Sequence, residues 1–486
     1  MNLDRLDWLV IILFFLFMIV IGVWSFFKNQ DSSDYFVAGG KLPWWLAGIS
    51  HHVSGYSGAV FVAYAGLAYT HGFSIYVWWA FTIGIAVIAT LNVFPVRWVR
   101  LRKKYNIQSP LEYIKVRYNL PTQQIMAWSG VLLKLFDMGA KWAAIAILLK
   151  VFTGMSLWSG ILLAGGASLV YITIGGLWAV ILTDFFQFVV QTIAGIVMFI
   201  VAVMKLGGIS SIFGIWDQLP EKNSQLFNEP YTFGFALTFL FINTLSYNGG
   251  TWSLATRYIS SPNEKETKRA GMLSGVLYLI WPLILFFPMW AAPILLPDLA
   301  EPTESYAQLT LHLLPSGLVG LVIASMFANT MSMTSSDANT IAAVITRDML
   351  PVLFKNSPAI TDQKQSLKVA RISTFIFLLF TIIIALQYQH FGGVLGLIVS
   401  WYGAMIGPIA VPMLLGMLPT FKKCDSKGAI LSIFSGFGMF FIAKSIDISY
   451  ALEISLPMIT TAIIYISSGI IRAKAETSSA VNELFE

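Results

Sequence analysis

Five residues in the stretch "ANTMSMTSSDANT", 328–340, recur at spacings of three and four: Asn329, Ser332, Ser335, Ser336 and Asn339. On a helix of 3.6 residues per turn they form one polar stripe, although the flanks "GLVGLVIASMF" and "IAAVI" are apolar. Hydroxyl and amide oxygens without thiol or imidazole suit an alkali cation better than a transition metal. Isolated Ser and Thr in membrane helices usually bond their own backbone one turn back, which is the expectation for Thr330, Thr334 and Thr340. An aligned run facing a broken helix is different, because unwound carbonyls need partners and can hold a small hard cation.

Ionisable residues inside apolar segments mark function by default. Asp184, in "YITIGGLWAVILTDFFQFVVQ", lies about a turn and a half into its helix, from where it can either serve a site or snorkel to the surface. Lys141 sits mid-helix in "KLFDMGAKWAAIAILLK". It either pairs with Asp137 four residues earlier or offers a cation to a cavity. His51 and His52 fall in a polar, small-residue segment with no acid near them in sequence to suggest a proton relay. The histidines at 51, 52, 71, 312 and 390 do not combine with acids into metal-ligand spacing, and the single Cys424 excludes an internal disulfide and a cysteine-based cluster. No catalytic residues are expected, and the chain does not read as an enzyme.

The elements that position these groups are membrane helices. The 486 residues are 57% hydrophobic and 11% charged, against about a quarter charged in soluble domains. The fold class is an all-α polytopic membrane protein with about thirteen transmembrane helices, beginning near residues 7, 44, 73, 125, 156, 178, 232, 269, 315, 369, 391, 428 and 452. The first, "WLVIILFFLFMIVIGVWSFF", exceeds a signal-peptide core and follows Asp4 and Asp7, so it reads as a permanent span. The loop "RWVRLRKKYNIQSPLEYIKVRY" is strongly basic, and "TRYISSPNEKETKR", the stretch after Arg347 and "FKKCDSK" are more mildly so, whereas "DQLPEKNSQLFNEP" and "PDLAEPTES" lean acidic. The positive-inside rule then puts the N-terminus outside and the C-terminus, with Arg472 and Lys474, in the cytoplasm. Because the basic residues cluster in loops on one side, the net charge of +6 does not imply nucleic acid.

Two helices read as interrupted: the second, "GISHHVSGYSGAVFVAYAGLAYTHG", and the seventh, "TLSYNGGTWSLA", with Asn248-Gly249-Gly250 at its middle. Glycines can merely let helices pack closely. Two interruptions in matching positions of two halves point instead to the binding site of an inverted-repeat transporter. The chain is therefore read as one transporter domain, 1–486: a leading helix at 7–27, a first repeat at 44–208, a second at 232–417 and two C-terminal helices at 428–472.

Four ordered motifs, "SSDYFVAGGKLPWW", "SPLEYIKVRY", "GGLWAVILTDFFQ" and "MSMTSSDANTIAAVITRD", resemble the sodium/solute symporter family, which contains sodium-coupled proline, glucose, galactose and sialic-acid carriers. The resemblance implies the leucine-transporter-like fold, a 5+5 inverted repeat with one helix before and two after, working by alternating access. It implies a main sodium site of the Ser50, Val53 and Asn329 carbonyls with side-chain oxygens at Ser332 and position 333. There this chain departs from the family's hydroxyl and carries Met333, a poor ligand for a hard cation. A second sodium site, as in sialic-acid-type members, would use Asp184, Ser332, Ser335 and Ser336.

Between the broken helices the resemblance places the solute, near His52, Ser54, Ser57, Asn248 and Trp252, with Phe73, Tyr76, Trp78 and Trp79 as walls. Lys141 aligns with an arginine that pairs with the substrate carboxylate in sialic-acid-type members; a lysine supplies a point charge without the bidentate fork. The expected activity is sodium-coupled import of an acidic sugar or other organic acid, with a neutral sugar, or proton coupling on the same fold, as alternatives. Sodium is the expected coupling ion, with no organic cofactor. The partners are a small solute and the lipid bilayer, in the cell membrane, for a carrier functional as a monomer.

Overall fold

The computed structural model describes residues 3–28, 32–354, 363–446, 448–472 and 478–485. Lys474, counted among the cytoplasmic charges, lies outside them. Among the described residues the chain is helical, with one isolated bridge between Asn228 and Tyr231 and no strand. Helix ends follow local chemistry. Asn119 accepts the Thr122 N–H at 2.9 Å and so starts Leu120–Thr153, which ends on left-handed Gly154 (φ 72°). Asn263 caps Glu264–Leu295 by accepting the Glu266 N–H at 3.0 Å.

Among the described residues eight helices are long and apolar enough to cross a membrane, or ten if two sharply bent pairs each count as one span. The expected thirteen are not reached by this measure: the helices before the two breaks, Trp44–Val53 and Phe233–Leu245, are too short, and Leu120–Thr153, though 34 residues long, carries Lys134, Asp137, Lys141 and Lys150. A second difference lies at Leu157–Lys205, where helix runs through 49 residues. The spans expected to begin near 156 and 178 are thus joined without a loop. Exposure separates periphery from centre. The leading helix has only 28% of its most apolar window buried, while the segment Leu318–Leu353 has 83%. Polar residues on that central segment therefore face protein, not lipid.

Both expected interruptions are present. The helix Trp44–Val53 stops, residues 54–57 are non-helical, and helix resumes after them. Gly55 is required there, since a Cβ would lie 1.7 Å from the Tyr278 hydroxyl oxygen. In the second break Gly249 has φ 118° and Trp252 φ 71°, conformations that interrupt the helix before Ser253–Ile259 begins. The helix Leu318–Ala343, which carries the hydroxyl stripe, packs against Leu157–Lys205 and the leading helix, and Trp44–Val53 packs against Glu264–Leu295.

Candidate cation and solute site

Asp184 is fully buried in Leu157–Lys205. Its Oδ1 accepts from Ser332 Oγ at 2.6 Å, and its Oδ2 from Ser50 Oγ at 2.5 Å and Arg257 Nη2 at 3.2 Å. One carboxylate thus joins the first broken helix, the stripe and the second broken helix, so snorkelling is excluded. Arg257 corrects the reading of "TRYISSPNEKETKR" as a basic loop. It belongs to Ser253–Ile259, is 1% exposed, and donates to Ser50 Oγ (3.0 Å), Ser54 Oγ (3.1 Å), Thr256 Oγ1 (2.9 Å) and Ser336 Oγ. In sequence it is one cation among several at the start of a basic stretch, and no local signal set it apart.

Of the second implied cation set, Asp184 and Ser332 touch directly, and Ser336 joins them through Arg257. Ser335 instead donates to its own helix at Ser332 O, 3.1 Å. For the main set, the Ser50 and Val53 carbonyls each accept one backbone N–H, from Ser54 (3.0 Å) and Tyr56 (3.1 Å), which leaves a second lone pair on each. Asn329 Nδ2 donates to Ser325 O at 2.7 Å, and its Oδ1 is a buried acceptor without a donor among the described residues. These oxygens suit an alkali cation. Thr334 and Thr340 bond back to Thr330 O and Ser336 O as expected, but Thr330 also accepts the Gly58 N–H at 2.9 Å, tying the restarted helix to the stripe.

Beside this cluster is a cavity of about 40 Å³. Small-molecule sites run to roughly 300–1,000 Å³, so a solute the size of a sugar enters only if side chains move. Three expected solute residues, Ser57, Trp79 and Lys141, line the cavity, together with Asp137, Tyr247, Met333 and Tyr402. Met333 therefore faces the cavity wall, one residue from Ser332 on the cation cluster.

The other seven are scaffold in this conformation. His52 is wedged between Tyr56 and Tyr278, ring centroids 4.9 and 4.6 Å away, with neither nitrogen partnered among the described residues. Ser54 belongs to the Arg257 cluster. Asn248 accepts from Thr90 Oγ1 (2.8 Å) and donates to Thr244 O (2.7 Å), and Trp252 packs onto Gly130. Phe73 meets Trp216 edge-on and Trp290 at a tilt, Tyr76 donates to Leu279 O at 2.8 Å, and Trp78 packs on Tyr231 and Phe239. His51 bridges the two broken helices, with Nδ1 2.8 Å from Ser274 Oγ and Nε2 3.0 Å from Tyr247 O.

Lys141 is not a lone cation. Its Nζ meets Asp137 Oδ2 at 2.9 Å and Asp337 Oδ2 at 2.5 Å, while Lys134 Nζ meets Asp137 Oδ2 at 2.9 Å and Asp337 Oδ1 at 2.8 Å. The four side chains are at most 5% exposed, and their charges sum to zero. The Asp137–Lys141 pairing left open by the sequence is present, inside a ring that also takes in Lys134 and Asp337. Lys134 further lies 4.7 Å from the Trp401 ring centroid. Among the described residues no group of three or more His, Cys, Asp or Glu could hold a metal ion.

Residues 35–436 match the model of the Sodium:solute symporter family. The chain is 26% identical over 432 residues to the sodium/sialic acid symporter NanT of Aliivibrio fischeri, covering 86% of this chain and 83% of that one. To the sodium/glucose cotransporter of Vibrio parahaemolyticus it is 26% identical over 471 residues, 89% of this chain and 84% of the relative. A substrate-bound outward-open structure of a Na+-coupled sialic acid symporter superposes with TM-score 0.85 at 24% identity, over 98% of this chain and 99% of that one. Mhp1, a nucleobase-cation-symport-1 family transporter, gives TM-score 0.60 at 16% identity over 94% and 99%.

Proposed function

The chain belongs to the sodium:solute symporter family, and we propose that it imports a small acidic sugar together with sodium by alternating access. The observation that carries this reading is the placement of two neighbours on one helix: Ser332 donates to Asp184 in the cation cluster, and Met333 lines the cavity. A cation that orders this helix against the break at 54–57 thereby shapes the solute cavity. Sodium binds first, at the Ser50, Val53 and Asn329 carbonyls and Ser332, and the solute closes the outer side. Rocking then opens the inner side, and sodium leaves into low cytoplasmic concentration. Each sodium moved down a 100 mV potential contributes about 2.3 kcal/mol, roughly fifty-fold accumulation.

Lys141 supports an acidic solute, since two of its three N–H donors go to Asp137 and Asp337 and the residue borders the cavity. The sialic acid symporters among the relatives agree with that choice. A second reading, a neutral sugar, is favoured by the zero net charge of the four-residue ring and by the sodium/glucose relative. The carrier works as a monomer in the cell membrane, N-terminus outside and C-terminus in the cytoplasm. Proteoliposome uptake of labelled sialic acid and glucose tests the function, with a sodium gradient at fixed pH set against a proton gradient without sodium. Sodium-driven uptake of sialic acid is expected; stimulation by protons alone overturns sodium coupling, and uptake of glucose alone selects the second reading.

A further inference from the structure

Within the buried ring the two acids differ. Asp137 Oδ2 takes both lysines, at 2.9 Å each, and its Oδ1 has no hydrogen-bond partner among the described residues. Asp337 has both oxygens engaged, Oδ1 by Lys134 and Oδ2 by Lys141. Only Asp137 and Lys141 of the four line the cavity. The cavity wall therefore presents a carboxylate oxygen that can only accept, next to an ammonium with one N–H left to donate.

We infer that Asp137 is a specificity-determining residue of the solute site: with Lys141 it reads a hydroxyl adjacent to an oxygen acceptor, the arrangement of a 2-hydroxy acid or a vicinal diol. The inference rests on reading this cavity as the solute site. Lys141 donates to the acceptor, a carboxylate or hydroxyl oxygen, and Asp137 Oδ1 accepts from the neighbouring hydroxyl. A carboxylate without that hydroxyl sets its negative charge beside Asp137 with nothing between them. An analogue without the hydroxyl leaves a desolvated carboxylate oxygen unpaired, the situation in which a site built for a hydroxyl discriminates most strongly. The same pair accommodates acidic and neutral sugars alike, since both can carry a hydroxyl next to an oxygen acceptor.

The test compares sodium-driven uptake by wild type, Asp137→Asn and Asp337→Asn in proteoliposomes. The probes are sialic acid against its 2-deoxy analogue, and glucose against 2-deoxy- and 3-deoxyglucose. Each acid-to-amide change removes one negative charge from the same ring, but only Asp137 has a cavity face. Wild type is expected to favour the parent solute by roughly 10- to 100-fold in kcat/KM, the range for one hydrogen bond to a charged group. Asp137→Asn is expected to cut that preference at least fivefold and Asp337→Asn to keep it. Equal effects of the two substitutions, or none, overturn the inference while leaving the solute site standing. Wild-type transport of neither parent solute overturns the proposed function, and the inference that rests on it. If Asp137→Asn does not fold, Asp137→Glu keeps the charge and shifts the oxygen. It is expected to lower the preference with sodium dependence intact, and an unchanged preference overturns the inference.

Discussion

Arg257 Nη2 lies 3.2 Å from Asp184 Oδ2, both side chains at most 1% exposed, so the carboxylate at the cation cluster is already matched by a cation tethered to the second broken helix. A second sodium at Asp184 has to share or displace that guanidinium. Removing one member of a buried ion pair leaves an unmatched charge and costs about 3–5 kcal/mol. Arg257→Gln is therefore expected to lower the unfolding temperature in detergent sharply, and Asp184→Asn with Arg257→Gln to recover most of the loss. A double variant as unstable as the sum of the singles would mean that the two residues act independently.

Sodium dependence is expected to separate Asp184 and Ser332 from Ser335. The first two share a 2.6 Å hydrogen bond, whereas Ser335 bonds its own helix. Asp184→Asn and Ser332→Ala are each expected to raise the sodium concentration for half-maximal uptake by about tenfold or more, the range for one charge-assisted hydrogen bond. Ser335→Ala should leave it unchanged. A titration of uptake against sodium at fixed ionic strength checks all three, and a shift for Ser335→Ala equal to that for Ser332→Ala would restore Ser335 to the cation set.

The stripe was legible because helical periodicity is local: Ser332 and Ser336 need only the 3.6-residue repeat to be placed on one face. The two breaks were legible for a similar reason, since the glycines at 55 and 249 lie within the interruptions themselves. Arg257 and Asp337 were not. Each acquires its role through partners 73 and 196–203 residues away in sequence, Asp184 for the arginine and Lys141 and Lys134 for the aspartate. Periodicity carries no information about such contacts. The aromatic walls failed likewise: Trp78 and Trp79 are equally apolar in sequence, yet neighbouring positions on a helix point about 100° apart, and only Trp79 reaches the cavity.

The break in the first helix depends on Gly55 and Tyr278 together. The Tyr278 hydroxyl donates to His52 O at 2.8 Å and occupies the space a Cβ on residue 55 would need. Gly55→Ala is expected to abolish uptake or folding through that clash. Tyr278→Phe alone removes one hydrogen bond, about 1 kcal/mol, and takes away the 1.7 Å clash, leaving the ring Cζ at 2.9 Å from such a Cβ. The double variant should then be more stable than Gly55→Ala alone, a sign of coupling that a thermal-unfolding cycle in detergent measures.

Met333 stands where the resemblance to the family implies a hydroxyl completing the main sodium site, and its side chain lines the cavity proposed for the solute. Met333→Ser removes apolar wall and adds a hydroxyl there. The expected result is a changed solute KM, by roughly threefold or more, with half-saturating sodium moved less than about twofold. The opposite split, tighter sodium with KM untouched, would mean that a short hydroxyl at 333 turns toward the carbonyls of Ser50 and Val53. The cation site of this chain would then be one oxygen short of its family's. Measuring both constants on the same variant decides which side of the helix residue 333 serves, since a general loss of fold would move neither constant selectively.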